Sequence, residues 1–346
     1  MKPIVHMSAQ HVVTPMGSRR RYKADNLPES LILSARTTDP VVFDPAKHLA
    51  FRLPQKILTF DEVGQSNDGI SSNAVSEPFS LFTEEAVKQM RAEVFREDIL
   101  EKCYCATGRS SGQVRGHCPK DVKFICDAWN SPEVLNIISE VAGVDLVPAI
   151  DYDIGHRNIS INADGNENDC VAPGEATDDS AEFCESAFGW HRDSYPFVVV
   201  TMLSDCDGMI GGETAILTGA GTILRARGPA RGTAVVMQGR YVDHQATAAM
   251  GGREQISMVT SFRPKSHHIK DETTLRGVRN ISHVPTLYTQ YTEYRLENLE
   301  RRVHDELTKL RKRKRTDGGS DVRQTRDWLR EQRGFLDAML SELQVH

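Results

Sequence analysis

Between residues 190 and 265 the chain carries short β-branched or apolar runs punctuated by glycine, with no helical spacing between them. That pattern restricts the fold more than any other feature. Val198-Val199-Val200-Thr201-Met202-Leu203, Gly232-Thr233-Ala234-Val235-Val236-Met237 and Ile256-Ser257-Met258-Val259-Thr260-Ser261-Phe262 each read as a strand. Gly211-Gly212-Glu213-Thr214-Ala215-Ile216 reads as a turn into another. Strands joined by turns leave no room for the crossover helices of a parallel sheet. They predict an antiparallel barrel or sandwich.

Set among these runs are His191, Asp193 and, about fifty residues later, His244. On an extended strand residues i and i+2 share a face, so His191 and Asp193 are expected to grip one ion from one strand, with the third ligand coming from a neighbour. Two imidazoles and one carboxylate on one side of an ion leave the opposite positions open. Non-haem Fe(II), which must hold a cosubstrate and oxygen together, needs that arrangement; a zinc hydrolase needs fewer open positions.

His-x-Asp alone is a weak signal, and the flanking motifs add the weight. His191 and Asp193 to Phe197 read His-x-Asp-Ser-Tyr-Pro-Phe, Gly211 to Thr214 Gly-Gly-Glu-Thr, Gly239 to Gln245 Gly-Arg-Tyr-x-x-His-Gln, and Met258 to Pro264 Met-Val-Thr-Ser-Phe-Arg-Pro. At these residues the chain resembles the Fe(II)/2-oxoglutarate-dependent oxygenases, and more closely a fungal group of small-molecule oxygenases. The resemblance covers roughly residues 145 to 265. It implies a mainly β fold with flanking α-helices, centred on a double-stranded β-helix of the jelly-roll or cupin type. It also implies His191, Asp193 and His244 as catalytic metal ligands, with Fe(II), 2-oxoglutarate and O2 as cofactors and ascorbate as reductant in vitro. The implied reaction releases succinate and CO2 while a small molecule, such as an amino acid or a specialised-metabolite intermediate, is oxidised. Asp193 stands where halogenating relatives carry a small residue, which favours hydroxylation, desaturation or oxidative cyclisation.

The far carboxylate of 2-oxoglutarate, held deep in a barrel, calls for a cation with hydrogen-bond donors, and arginine matches it best. Many relatives place that arginine two residues before a Ser or Thr after the distal histidine. Gln255, two before Ser257, occupies the position here. By strand alternation Gln255, Ser257, Val259, Ser261 and Arg263 share a face, making Arg263 the first candidate anchor and Arg253 the second, with Ser257 and Gln255 as neutral donors. Ala149 to Ser160 reads as an early core strand rich in polar groups, of the kind that lines a polar cavity. His156 and Asn158 within it, and Tyr195 beside the triad, are candidate contacts to cosubstrate or substrate. Trp190 reads as a hydrophobic wall, and Glu213 and Thr214 as support.

A chain of 346 residues is long enough to bury a substantial core. Its net charge of -6 gives no overall reason to expect nucleic acid or an anionic membrane as partner. The first residues lack the apolar stretch of a signal peptide, and no apolar run approaches a membrane span, which predicts a cytoplasmic protein. Seven cysteines without a CxxC pair read as reduced thiols. The spacing of Cys103, Cys105, His117 and Cys118 matches no common zinc module.

The organisation expected is an irregular N-terminal arm (1–55), the oxygenase domain with its helical buttress (56–285) and a C-terminal helical segment packed on the same domain (286–346). The buttress comes from two helical patterns, Thr83 to Tyr104 and Val122 to Ala142. An acidic, glycine-rich loop over 162–189 ends just before His191 and is placed to act as a lid. Its carboxylates mimic a calcium loop, but Asp169 stands where such a loop needs glycine. Leu296, Leu299, Val303, Leu307 and Leu310 form one stripe of an amphipathic helix, and Trp328 to Leu343 a second helix. The pair either covers the barrel or mediates a homodimer. The basic run 309–315 keeps a nuclear address open beside the cytoplasmic one. Three rival functions remain: a non-catalytic β-barrel scaffold, opposed by the complete triad and slightly favoured by Gln255; a nucleic-acid demethylase of the same superfamily, opposed by the acidic charge and kept open by the basic run; and a zinc hydrolase.

Overall fold

Eight strands from His156 to Pro264 pass back and forth between two antiparallel sheets. β1 (His156–Ile161), β3 (Phe197–Met202), β6 (Thr233–Met237) and β8 (Glu254–Pro264) belong to a ten-stranded sheet and lie there in the order β6-β3-β8-β1. β2 (Ser186–His191), β4 (Thr214–Leu217), β5 (Ile223–Ala226) and β7 (His244–Thr247) form a four-stranded sheet in the order β5-β4-β7-β2. The larger sheet is extended beyond β6 by Asn73–Ser76 and Ile57–Thr59, and beyond β1 by Ser111–Val114 and Tyr104–Ala106. This computed structural model describes residues 27–345 except 66–68, 107–110, 118, 162–185, 206–209, 227–229, 248, 251–253 and 316–320. The acidic segment expected as a lid therefore lies almost wholly outside the described residues, as do the calcium-loop carboxylates, Arg253 and the first 26 residues of the N-terminal arm.

Period-two alternation sorts the larger sheet into two faces. Ile256, Met258 and Phe262 of β8, Phe197 and Val199 of β3, and Ala234 and Val236 of β6 bury themselves against the helices. Their sequence neighbours Val259, Val198, Val235 and Met237 turn the other way and meet Ile216 of the smaller sheet. The two sheets thus enclose an interior while the outer face of the larger one is covered. The cover is α1 (Glu84–Val94), α2 (Lys123–Asn130) and α3 (Pro132–Ala142). Trp129 of α2, fully buried, sets its ring edge against Phe82 at 5.4 Å and Phe262 at 5.8 Å.

Four elements differ from expectation. The Thr83 to Tyr104 pattern is broken at Arg96, whose side chain ties to Asp98 and to the Asp121 carbonyl, so a second short helix, Glu97–Cys103, follows α1. The 122–142 pattern breaks at Ser131-Pro132: proline cannot donate into the preceding turn, and Ser131 caps the Val134 N–H instead. Ala149 to Ser160 is not one strand. Asp151–Asp153 forms a 3-10 turn and Gly155 takes a left-handed φ of 64° before β1 begins. The described part of the N-terminal arm also contains a helix, Glu29–Thr37, which buries Leu31 and Ala35 in the helical layer.

At the other end, α4 (Val284–Arg315) and α5 (Val322–Glu342) pack on the same chain through Leu287, Tyr291, Tyr294, Phe335 and Met339, against Tyr152 and Tyr195. The buried Arg295 guanidinium lies 3.7 Å from the centroid of the Phe335 ring and donates to the Asp271 carbonyl at 3.0 Å. Among the described residues, no helix is long and apolar enough to cross a membrane.

Candidate metal centre and its cavity

The ladder of the smaller sheet brings the two distant histidines together. β7 runs antiparallel to β2 with His244 directly opposite His191, and to β4 with His244 opposite Ile216. The ring centroids of the two histidines are 4.4 Å apart. Asp193 does not sit on the strand with His191, as the i, i+2 spacing suggested. β2 ends at His191, and Asp193 occupies the turn before β3. What aims it inward is a backbone bond, Asp193 N–H to the Gly239 carbonyl at 2.8 Å. Arg192, between them, is exposed and donates from Nε and Nη2, one edge of its guanidinium, to the two Asp243 carboxylate oxygens at 3.1 and 2.9 Å, clasping the two loops from outside.

The three groups converge. His191 Nε2 is 3.7 Å from Asp193 Oδ1, His244 Nε2 is 3.4 Å from Asp193 Oδ2, and their ligand atoms lie within 4.8 Å of one another. Both imidazoles are oriented by their second nitrogen. His191 Nδ1 donates to the Gly189 carbonyl at 2.7 Å and His244 Nδ1 to the Val242 carbonyl at 3.0 Å, which leaves each Nε2 lone pair facing Asp193. Metal-binding histidines are fixed in this way, because the outer hydrogen bond sets both tautomer and ring angle. A Cβ on Gly239 would fall 1.9 Å from Asp193 Oδ2, so the glycine of the Gly-Arg-Tyr-x-x-His-Gln motif makes room for the carboxylate. The same loop is anchored by the fully buried Gln238, whose amide donates to the carbonyls of Ser71 and Asn73 and accepts from the Ile70 N–H.

The triad opens into a cavity of about 420 Å³ between the two sheets, within the range of small-molecule sites. His156, Asn158 and Tyr195 line it together with the triad, and Val259 and Ser261 reach it from β8 as alternation required. Gln255, Ser257 and Arg263 are not among its lining residues. Gln255 donates its amide to the Gly212 carbonyl. Arg263, at the end of β8 where it pairs with Leu146–Pro148, lays its guanidinium over the Tyr294 ring at 4.7 Å and bonds the Ala149 carbonyl.

Two residues that the sequence reading passed over, Gln113 and Arg115, complete a polar wall. Arg115 is buried, pairs with the wholly buried Asp153, and donates to Ser282 Oγ at 3.1 Å and to His156 Nδ1 at 2.7 Å. Since an arginine only donates, His156 Nδ1 is the acceptor and its hydrogen sits on Nε2, which donates to Asn158 Oδ1 at 3.1 Å. Gln113 donates to the same Oδ1 at 3.1 Å. With its oxygen saturated, the Asn158 amide nitrogen is the group left to offer the cavity. Burial, reinforced by the Arg115 charge, pushes His156 down to about 3, so it stays neutral. Burial pushes Asp153 upward while Arg115 opposes it, and burial beside that carboxylate keeps the Tyr195 hydroxyl protonated. Arg115 follows directly on the strand Ser111–Val114 that pairs with β1, two residues after Gln113.

The cysteine group around 103–118 assembles no metal site among the described residues. Buried His117 accepts from Arg157 at Nδ1, and Cys103 faces the helical core.

No family model matches the chain, and no curated protein does. Among solved structures it is similar to an oxidoreductase of the 2OG-Fe(II) oxygenase family from Burkholderia pseudomallei, at 14% identity and TM-score 0.30 over 46% of this chain, and it spans 62% of that one. It is also similar to a Pseudomonas putida prolyl-4-hydroxylase, at 15% identity and TM-score 0.30 over 53% of this chain and 88% of that one. A third is HygX from Streptomyces hygroscopicus with nickel and 2-oxoglutarate bound, at 12% identity and TM-score 0.32 over 53% of this chain and 80% of that one. At likenesses of this size, the chemistry of the site rests on its own side chains.

Proposed function

We propose that this protein is a non-haem Fe(II)/2-oxoglutarate-dependent oxygenase acting on a small molecule. The observation that carries the reading is the convergence of His191, Asp193 and His244, with both imidazoles turned by backbone carbonyls so that Nε2 points inward. The donor set fits Fe(II): two neutral nitrogens and one carboxylate, gathered at one wall of a cavity whose remaining space is free for other ligands. The passage of β1 to β8 between two facing sheets supports a double-stranded β-helix as the frame.

When bound, Fe(II) with 2-oxoglutarate and O2 would supply the oxidising power, with succinate and CO2 as co-products. The chain's own residues would hold and orient. His191, Asp193 and His244 would fix the ion. The Asn158 amide, with Arg115 and Gln113 behind it, would receive a carboxylate in the place of the residue-255 anchor, because these are donors in the cavity wall whereas Gln255 and Arg263 are engaged elsewhere. Neutral His156 would relay the Arg115 charge to Asn158 without adding one of its own. The volume and the mixture of aliphatic and polar walls favour a small, partly polar substrate such as an amino acid or a specialised-metabolite intermediate.

The test is succinate release from 2-oxoglutarate with Fe(II) and ascorbate, comparing the natural chain with His244→Ala. Turnover by the natural chain and its loss in the variant support the proposal. Equal succinate from both, or none from either while Fe(II) is bound, overturns it.

A further inference from the structure

Away from the cavity, one other group of metal-ligating side chains converges among the described residues. His267 and His268 follow β8, and Asp305 projects from α4. His267 Nε2 lies 2.8 Å and His268 Nε2 2.9 Å from the same atom, Asp305 Oδ2. The two rings are 4.1 Å apart, and all three ligand atoms fall within 4.8 Å of one another.

Consecutive side chains on an extended chain point to opposite sides, so two neighbouring imidazoles reach one oxygen only if the backbone turns between them. The turn is built in. His268 N–H bonds Ser266 Oγ at 3.3 Å and Ile269 N–H bonds the Ser266 carbonyl at 3.2 Å. Arg302, buried on α4, donates Nε to the His267 carbonyl at 2.5 Å. Arg302 and Asp305 are three residues apart on one helix face, so the same stretch of α4 pins the turn and presents the carboxylate. His267 is largely covered and His268 is half exposed, so the group is held on one side and open on the other.

We propose that His267, His268 and Asp305 form a second metal site, for a first-row divalent cation of the zinc type, that fastens α4 to the chain leaving β8. Two imidazoles and a carboxylate give zinc three protein ligands, and a water completes the tetrahedron. With zinc bonds of about 2.0–2.1 Å, tetrahedral ligand atoms stand about 3.3 Å apart, so Asp305 retreats by roughly half an ångström when the ion enters. In the bound state each imidazole gives its Nε2 lone pair to the metal and carries its one hydrogen on Nδ1, and protons compete for those lone pairs. Binding therefore weakens as pH falls. The site is independent of the oxygenase reading.

The test is the zinc stoichiometry of the full chain after chelator treatment, measured by equilibrium dialysis, together with the zinc-dependent rise in melting temperature. His191→Ala with His244→Ala removes the first centre, and that variant is expected to keep one zinc per chain and a zinc-dependent melting shift. Adding Asp305→Asn and His268→Ala is expected to abolish both. His268→Ala alone, at a half-exposed position, should lower the natural chain's stoichiometry by one and serves if the first variant does not fold. Unchanged stoichiometry in His268→Ala, or a zinc-free His191→Ala/His244→Ala protein that is folded, overturns the proposal. A natural chain whose single zinc is lost in His268→Ala but kept in His244→Ala would uphold this site while removing the first.

Discussion

Replacing Arg115 by Met should cost far more than a surface arginine would, because of what it leaves behind. Asp153 is 1% exposed and its cationic partner is Arg115. Breaking one side of a buried pair costs about 3–5 kcal/mol, since the surviving charge stays buried without compensation. Losing the donors to His156 and Ser282 adds to this. The pH dependence identifies the cause. Without the cation, burial raises the folded-state pKa of Asp153 above its unfolded value, so the protonated group fits the fold and the charged one does not. The deficit is then smallest below the unfolded pKa of about 3.9 and grows by about 1.4 kcal/mol per pH unit until pH passes the folded value. Urea unfolding of the natural chain, Arg115→Met, Asp153→Asn and the double variant at pH 7 and pH 5 gives the coupling directly. Asp153→Asn should recover most of the loss in the Arg115→Met background. A single-variant cost under about 1 kcal/mol, or a double variant no better than Arg115→Met, would refute the claim that a buried ion pair underpins the cavity wall.

Three further outcomes follow from the same contacts. Gly239→Ala should weaken metal binding at least tenfold, about 1.4 kcal/mol, by driving a methyl into Asp193 Oδ2 while the fold persists, as read by Fe(II) titration and far-UV dichroism. His117, pushed by burial down to about 2, should make the fold acid-sensitive: the unfolded chain takes up a proton near pH 6.5 that the folded one refuses. Its contribution is intact above pH 6.5 and is lost as pH falls towards 2, about 2 kcal/mol by pH 5, and His117→Gln should shrink the pH 7-to-5 loss in urea stability by that amount. Trp129→Ala, which empties the contact between α2 and β8, should cost about 3–5 kcal/mol in the same assay without changing metal affinity.

Much of the frame was legible because burial and period agreed. β6 and β8 alternate between a helix-covered face and the interior, and their β-branched runs announced them. The candidate ligands were legible as residue types, although not in their geometry: Asp193 reaches the cluster from a turn, through a backbone bond to Gly239 that no local pattern encodes. The helix Glu29–Thr37 was hidden because Leu27, Leu31 and Ala35 keep helical spacing inside a stretch whose overall polarity suggested an irregular arm. Arg263 was misleading, since alternation along β8 holds through Ser261 but its end pairs with Leu146–Pro148 and turns towards Tyr294. Arg115 was missed because its importance comes from Asp153 and His156, about 40 residues away in sequence and brought beside it only when Ser111–Val114 pairs with β1.

The most direct test of the central claim is anomalous diffraction at the iron edge from crystals grown without oxygen in Fe(II). The account predicts one peak within bonding distance of His191 Nε2, His244 Nε2 and the Asp193 carboxylate. No peak at that position at full Fe(II) loading, or one ligated by other side chains in the cavity, would contradict it.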